Sequence, residues 1–287
     1  MFQSDLLAGK VVVITGGGTG LGKSMALRFA ELGAKLVITS RRQEVIDAAK
    51  EEIEAAGGEA LAVACDVRDF PSVEAMIQAS VDHFGRVDCL VNNAAGNFLC
   101  PSEKLSPNAF ASVLGIVLQG SFHCTLAFGR QVIAQGGKEG GGGNVVSITT
   151  TYATHGSSYV LPSACAKSGV LTMTKSLAVE WAKYGIRVNA IAPGPFPTEG
   201  AWAKLMPPGM EDLLSPDKIP ARRFGEHHEL ANLAAFLLAD GSAYLTGREI
   251  TIDGGESLMA GEFNQLTLMD PAAVAQVMEM MRGGGKK

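Results

Sequence analysis

Val11-Val12-Val13-Ile14-Thr15-Gly16-Gly17-Gly18-Thr19-Gly20-Leu21-Gly22-Lys23 is the stretch whose reading decides the fold. Its first five residues form a nearly continuous apolar, β-branched run, as expected of a parallel strand covered on both faces. Glycines follow, and a helical pattern begins near residue 21. A lone glycine cluster is weak evidence, but one that leaves a strand and opens a helix is the context that gives the motif its meaning. Glycines let the backbone turn tightly and approach a pyrophosphate, which sits at the positive end of the helix. Gly16, Gly18, Thr19, Gly20, Leu21 and Gly22 are therefore candidate dinucleotide-binding residues. A glycine-rich turn without a ligand is the alternative.

Outward from this turn, short β-branched runs alternate with helical patterns. The spacing predicts strands at 10–15, 35–39, 59–64, 87–91, 144–148, 187–191 and 249–252. It predicts helices near 21–33, 44–56, 71–84, 108–135, 162–184 and 228–239, and a last helix at 271–282. Such alternation means an α/β fold, and here a single Rossmann-like doubly wound domain over residues 1–287. About seven parallel strands would carry helices on both faces, with ligands at the strands' C-terminal ends. The glycine-rich 136–143 segment reads as a surface turn, because the strand alternation continues beyond it. The proline-rich 193–222 stretch, with apolar Trp202, Leu205, Met206 and Met210, reads as a substrate loop, and residues 254–287 as a C-terminal tail.

Hydrophobic residues make up 47%, charged residues 18%, and the net charge is −5, which leaves no basic excess for nucleic-acid binding. No apolar stretch reads as long enough to span a membrane. The first strand begins too early for a conventional signal or transit peptide. A cytoplasmic location is expected, or the mitochondrial matrix if the source is eukaryotic. Cys65, Cys89, Cys100, Cys124 and Cys165 lack CxxC spacing and mostly fall in apolar runs, so they read as reduced core thiols. Cys165 is the exception to watch, being near a candidate site. No metal site is expected.

Cofactor choice is read some twenty residues beyond the turn, where an NAD site normally places an acidic side chain. Here Thr39-Ser40-Arg41-Arg42 offers two guanidinium groups suited to a 2′-phosphate, so NADP(H) is favoured over NAD(H). Exposed arginines beside a helix start are the plainer alternative. Asp66, in Cys65-Asp66-Val67-Arg68, is placed to hydrogen-bond an adenine amino group, although the same pattern fits a helix N-terminal turn.

The glycine motif, Asn92-Asn93-Ala94-Ala95-Gly96, Lys167 and Pro193-Gly194-Pro195 together closely resemble the short-chain dehydrogenase/reductase family, from about residue 10 to 255. The resemblance implies that Val67 and Asn93 border the cofactor and that the 92–96 turn supports the central sheet. It implies that Lys167 binds the nicotinamide ribose, and that Pro193, Gly194, Pro195 and Phe196 flank the nicotinamide. Two positions depart from the common pattern. A hydroxyl four residues before Lys167 shares its helical face, but that hydroxyl is Ser163 where the family carries a tyrosine. Val117 stands where the family carries an asparagine. A phenol can be tuned by a neighbouring ammonium; a serine is a poor proton donor, which argues against ordinary ketone chemistry.

A narrower resemblance covers nearly the whole chain. The segments 93–98, Leu105-Ser106-Pro107-Asn108, Thr149-Thr150-Thr151-Tyr152-Ala153, Pro162-Ser163-Ala164 and the tail around Gly261-Glu262-Phe263-Asn264 are similar to the 2,4-dienoyl-CoA reductases. That likeness implies Tyr152 and Asn97 as the catalytic pair and Arg68, Phe98, Ser106 and Lys204 as acyl-CoA contacts. Lys204 keeps a charge for phosphate but lacks the fork of the arginine expected there. The implied reaction is NADPH-dependent reduction of a 2,4-dienoyl-CoA to a trans-3-enoyl-CoA in unsaturated fatty-acid β-oxidation. Hydride goes to C5, the thioester oxygen is stabilised by Tyr152 and Asn97, and water held near Ser163 protonates C2. A homotetramer is implied by the same likeness. Another NADPH-dependent enoyl or carbonyl reductase, or a non-catalytic NADPH-binding sensor, are the competing readings.

Overall fold

The computed structural model describes residues 2–198, 200, 209 and 215–283. Seven parallel strands form one sheet: β1 (Val11–Thr15), β2 (Lys35–Ser40), β3 (Glu59–Ala64), β4 (Cys89–Asn92), β5 (Gly143–Ile148), β6 (Ile186–Pro193) and β7 (Glu249–Ile252). Their spatial order is β3-β2-β1-β4-β5-β6-β7. The order reverses direction at β1, so the crevice between β1 and β4 is a topological switch point, where ligands enter open α/β sheets. The seven strands expected from the sequence are all present, with ends shifted by no more than two residues.

Alternation along each strand divides the core between two faces. Val12, Ile14, Leu36, Ile38, Val91 and Ile148 pack with α1 (Gly20–Glu31), α2 (Gln43–Ala55) and α7 (His227–Leu238). Val11, Val13, Val37, Leu90, Val145 and Val188 pack on the opposite face. Their partners lie on α3 (Phe70–Phe84) and on the long helix that follows β4. Continuous burial of β1 and β4 explains why their sequences read as nearly continuous apolar runs; β5 is as fully buried although it carries Asn144 and Ser147.

That long helix comprises α4 (Pro107–Leu114), a wider π turn at Gly115–Gln119 and α5 (Gly120–Ala134). Gly120 is required because a Cβ there would stand 2.5 Å from Val67 Cγ2. Contrary to the sequence expectation, Pro107–Ala134 is long and apolar enough by length and composition to cross a membrane. Part of its apolarity serves packing in this fold: Val113 and Val117 meet Ala166 and Val170 of α6 (Leu161–Glu180), while Cys124, Phe128 and Val132 enter the core under the sheet.

The 136–143 glycines close a tight turn between α5 and β5, with Gly142 N–H donating to the Gly137 carbonyl at 2.8 Å. The tail crosses the surface and ends in α8 (Pro271–Gly283). Trp202, Lys204, Leu205, Met206 and Met210 lie outside the described residues.

Candidate active site

The glycine turn leaves β1 at Gly16, whose φ of +66° is left-handed and suits glycine alone among residues without strain. Gly22 is fixed by space: a Cβ there would stand 2.2 Å from the Gly16 carbonyl oxygen and 2.6 Å from Asn93 Nδ2. Asn93 ties the turn down by donating to the carbonyls of Thr15 (3.0 Å) and Gly16 (3.1 Å). Thr15 Oγ1 in turn accepts from the N–H groups of Asn93 and Ala94, both at 3.0 Å. Thr19 is the extended N-cap of α1, and its side chain makes no capping hydrogen bond. The helix start therefore presents backbone donors and a positive dipole end to an anion. A cradle that even one Cβ would fill, opening on such a start, fits the pyrophosphate of a dinucleotide.

Arg41 and Arg42 are exposed at the end of β2. A depression of about 330 Å³ beside them is lined by Arg41, Ala64, Cys65, Asp66 and Ser72. Asp66 does not point free into it. Arg68 Nε donates to both carboxylate oxygens at 3.0 Å, and Arg68 Nη2 reaches Oδ2 at 2.5 Å. That guanidinium holds the Asp66 carboxyl below its usual range. Residues expected to touch adenine and acyl-CoA are thus paired with each other. Val67 is buried against Gly120, and its carbonyl faces His123 Nδ1 at 3.0 Å.

The reaction centre is gathered at the C-terminal ends of β4 and β5. Tyr152 sits in the 3₁₀ turn Thr151–Ala153 that follows β5, and Asn97 follows β4. Ser163 and Lys167 lie one helical turn apart on α6, 3% and 7% exposed. Asn97 Nδ2 donates to Tyr152 Oη at 3.3 Å, and Tyr152 Oη lies 3.1 Å from Ser163 Oγ. The Phe98 N–H donates to Asn97 Oδ1 at 2.9 Å, which fixes the amide so that its NH₂ faces the phenol. Lys167 Nζ donates to the carbonyl of Ile148, the last residue of β5. Burial lowers the Lys167 ammonium to about 8. Ser168 Oγ donates to the Ala153 carbonyl, pinning the tyrosine turn to α6.

Val117, at the position expected to carry an asparagine in the family, is buried among Val113, Ala166 and Val170 and brings no polar group to the centre. Pro193 ends β6, and Gly194 N–H donates to the Ile252 carbonyl at 3.0 Å. Gly194 and Pro195 begin the segment that leaves the sheet. Phe196 turns its ring against Gly225 and is 9% exposed. Phe98 packs with the small cluster around Val113 and Val117. Ser106 caps α4 by accepting from the Ala109 N–H at 3.1 Å, which uses one lone pair and leaves its O–H as a donor. Cys165 is exposed on the far side of α6 from the buried Ser163 and Lys167, away from the centre. The described residues hold no cluster of metal-ligating side chains. Sequence reasoning missed Ser168 and the Phe98 N–H, since residue type carries no signal for a backbone donor or for one serine among many.

The chain belongs to the short-chain dehydrogenase/reductase family and matches, over residues 16–257, the family model described as enoyl-(acyl carrier protein) reductase. It is an oxidoreductase of that family. It is 44% identical over 250 residues to a probable 2,4-dienoyl-CoA reductase [(2E)-enoyl-CoA-producing] of Bacillus subtilis, covering 87% of this chain and 97% of that one. It is 43% identical over 260 residues to a probable 2,4-dienoyl-CoA reductase 3 [(3E)-enoyl-CoA-producing] of Caenorhabditis elegans, covering 89% and 83%. Among solved structures it is similar to a short chain dehydrogenase from Bacillus anthracis at 47% identity and a TM-score of 0.79, covering 88% of this chain and 98% of that one.

Proposed function

We propose that this chain is an NADPH-dependent 2,4-dienoyl-CoA reductase. The observation that carries the reading is the hydrogen-bonded row Asn97–Tyr152–Ser163, which supplies a phenol beside Lys167 although the usual position four residues before that lysine holds a serine. The names of the two reductase relatives agree with it. Gly16–Gly22, Arg41 and Arg42 would hold the cofactor, Lys167 its ribose, and the 193–196 segment its nicotinamide. NADPH bound there supplies a hydride.

A conjugated dienoyl thioester that gains hydride at C5 passes its electron pair through the diene to the thioester oxygen. Tyr152 and Asn97 can donate to that oxygen as charge develops, and neither has to lose its proton. Lys167 keeps the local potential positive. The remaining proton goes to C2, giving a 3-enoyl product, or to C4, giving a 2-enoyl product. Ser163 adjoins the hydroxyl that binds the oxygen on C1, so water ordered by Ser163 stands next to C2. The 3-enoyl product follows.

The test is a single-turnover reaction of NADPH with a 2,4-dienoyl-CoA in D₂O, with the product's deuterium located by NMR. Oxidation of NADPH with deuterium at C2 is expected. Deuterium at C4 would reject the role given to Ser163 and leave the reductase. Turnover of 2-enoyl- or 3-ketoacyl-CoA in place of the diene would transfer the protein to another reductase class. Absence of hydride transfer with every thioester would favour an NADPH sensor. The homotetramer rests on the same reading: Phe122 on α5 and Val179 on α6 are 47% and 82% exposed on the faces such an assembly would cover.

A further inference from the structure

Two segments approach the dinucleotide crevice from opposite sides. One is the glycine turn at the start of α1, and the other is the 194–198 loop that leaves β6. They come close together: Gly20 has a φ of +52°, and a Cβ added there would meet Thr198 Cγ2 at 3.3 Å. They are also joined through one side chain. His227 Nε2 lies 2.7 Å from the Pro197 carbonyl oxygen, and its Nδ1 lies 2.8 Å from Ser24 Oγ. Ser24 Oγ is 3.1 Å from the Gly20 carbonyl oxygen, one helical turn back in the glycine motif. A carbonyl only accepts, so Nε2 carries the hydrogen; with the ring neutral, Nδ1 accepts, and the single hydroxyl hydrogen of Ser24 is divided between Nδ1 and the Gly20 carbonyl.

The ring is held by rigid surroundings. His227 is the first residue of α7, whose N-terminus is closed by a reciprocal box between Glu226 and Glu229. Arg223 grips Glu229 through Nη1 and Nη2 at 2.7 and 2.6 Å. Met25 and Phe29 of α1 share a core with Leu230, Ala231 and Ala234 of α7. The two helices therefore form a fixed base, and the loop after β6 is the element the imidazole fastens to it.

We propose that His227 is a positioning residue that clasps the 194–198 loop onto the glycine turn and thereby holds the nicotinamide half of the bound dinucleotide. The geometry decides which half. The glycine turn marks the pyrophosphate, and Arg41 and Asp66 lie on the β2–β3 side, where the adenosine half goes. The other half must run toward β5 and β6, beneath the clasped loop. This inference rests on the dinucleotide reading of the site and is independent of the acyl substrate.

The experiment compares binding of NADPH and of 2′,5′-ADP, which lacks the nicotinamide half, to wild type, His227→Ala, His227→Gln and Ser24→Ala by fluorescence and calorimetry. Loss of two hydrogen bonds should weaken NADPH about tenfold in His227→Ala. The change for 2′,5′-ADP should stay under about twofold, since its contacts lie outside the clasp. His227→Gln, which retains a donor for the Pro197 carbonyl, should recover most of the affinity. In steady state the KM for NADPH should rise with little change in kcat. Equal weakening of both ligands, unchanged NADPH affinity, or failure of glutamine to restore it would overturn the clasp. If His227→Ala does not fold, Ser24→Ala cuts the same link at its other end and should weaken NADPH alone by about threefold. A wild type that prefers NADH would refute the NADPH reading, and the clasp would then be tested with NADH against ADP.

Discussion

The glycine turn and the Asn97–Tyr152–Ser163 row lie at the same edge of one sheet, yet they are specified differently. The turn is contiguous from Gly16 to Gly22, and backbone conformation and space dictate its glycines: Gly16 has a φ of +66°, and a methyl group at Gly22 would run into the Gly16 carbonyl. The row is assembled from the ends of β4 and β5 and from α6, over a span of 66 positions between Asn97 and Ser163. What matters there is where a hydroxyl stands in the crevice. A phenol that reaches this place from the strand-5 turn can therefore replace one carried on α6. A steric motif resists relocation, whereas a chemical one tolerates it as long as the hydrogen-bond geometry is kept.

Tyr152→Phe should test that contrast most severely. Removing one preorganised donor to a developing oxyanion costs roughly 10²–10³ in rate, and the loss should fall on kcat while NADPH affinity stays put. Ser163→Ala, assayed alongside, should lose far less, because it orders solvent and does not hold the charge. If the two losses were reversed, the serine would be the essential hydroxyl, and the relocated tyrosine would be a packing residue.

Arg41→Asp probes the other region, where the sequence reading of cofactor choice rests on charge at an exposed strand end. Placing a carboxylate beside a 2′-phosphate and removing a guanidinium should shift the ratio of kcat/KM values toward NADH by about tenfold or more. Unchanged selectivity would leave the arginines as surface charges. Asp66 complicates this edge, since its carboxylate is held by Arg68 at 2.5–3.0 Å.

The difference in construction also explains what was legible. Seven strands, the parallel sheet and the glycine turn could be read because their signals are local: β-branched runs, helical periodicity and glycines within a few residues of one another. Tyr152, Asn97 and Ser163 were found only through likeness to a family, since no local pattern joins an asparagine after β4 to a tyrosine after β5. Ser106 was expected at the substrate, but its hydroxyl caps α4. Phe196 was expected at the nicotinamide, but its ring fills the core. In both cases an ordinary local demand, a cap or an apolar contact, claimed a side chain that residue type alone could not assign. The membrane-length apolarity of Pro107–Ala134 escapes the sequence reading because 108–135, though read as one helix, is assigned to the layers that cover the sheet.

Lys167 lies one helical turn from Ser163 and holds the Ile148 carbonyl, and its proton offers the mildest test of the comparison. Burial brings its ammonium down to about 8 from 10.5. The group therefore loses its charge in the folded protein as pH rises through about 8, and kcat/KM for NADPH should fall about tenfold per unit above that point. Stability responds with the opposite sign. Between about pH 8 and 10.5 the unfolded chain binds more protons at this site than the native one, so this group makes folding more favourable as pH rises. A decline in activity without a matching drop in Tm would thus assign the effect to the charge and not to unfolding. Lys167→Arg, which cannot deprotonate in this range, should flatten the profile even if its maximal rate is lower. A profile of the wild type's shape in that variant would place the titrating group elsewhere, and would leave Lys167 as a strut between α6 and the Ile148 carbonyl.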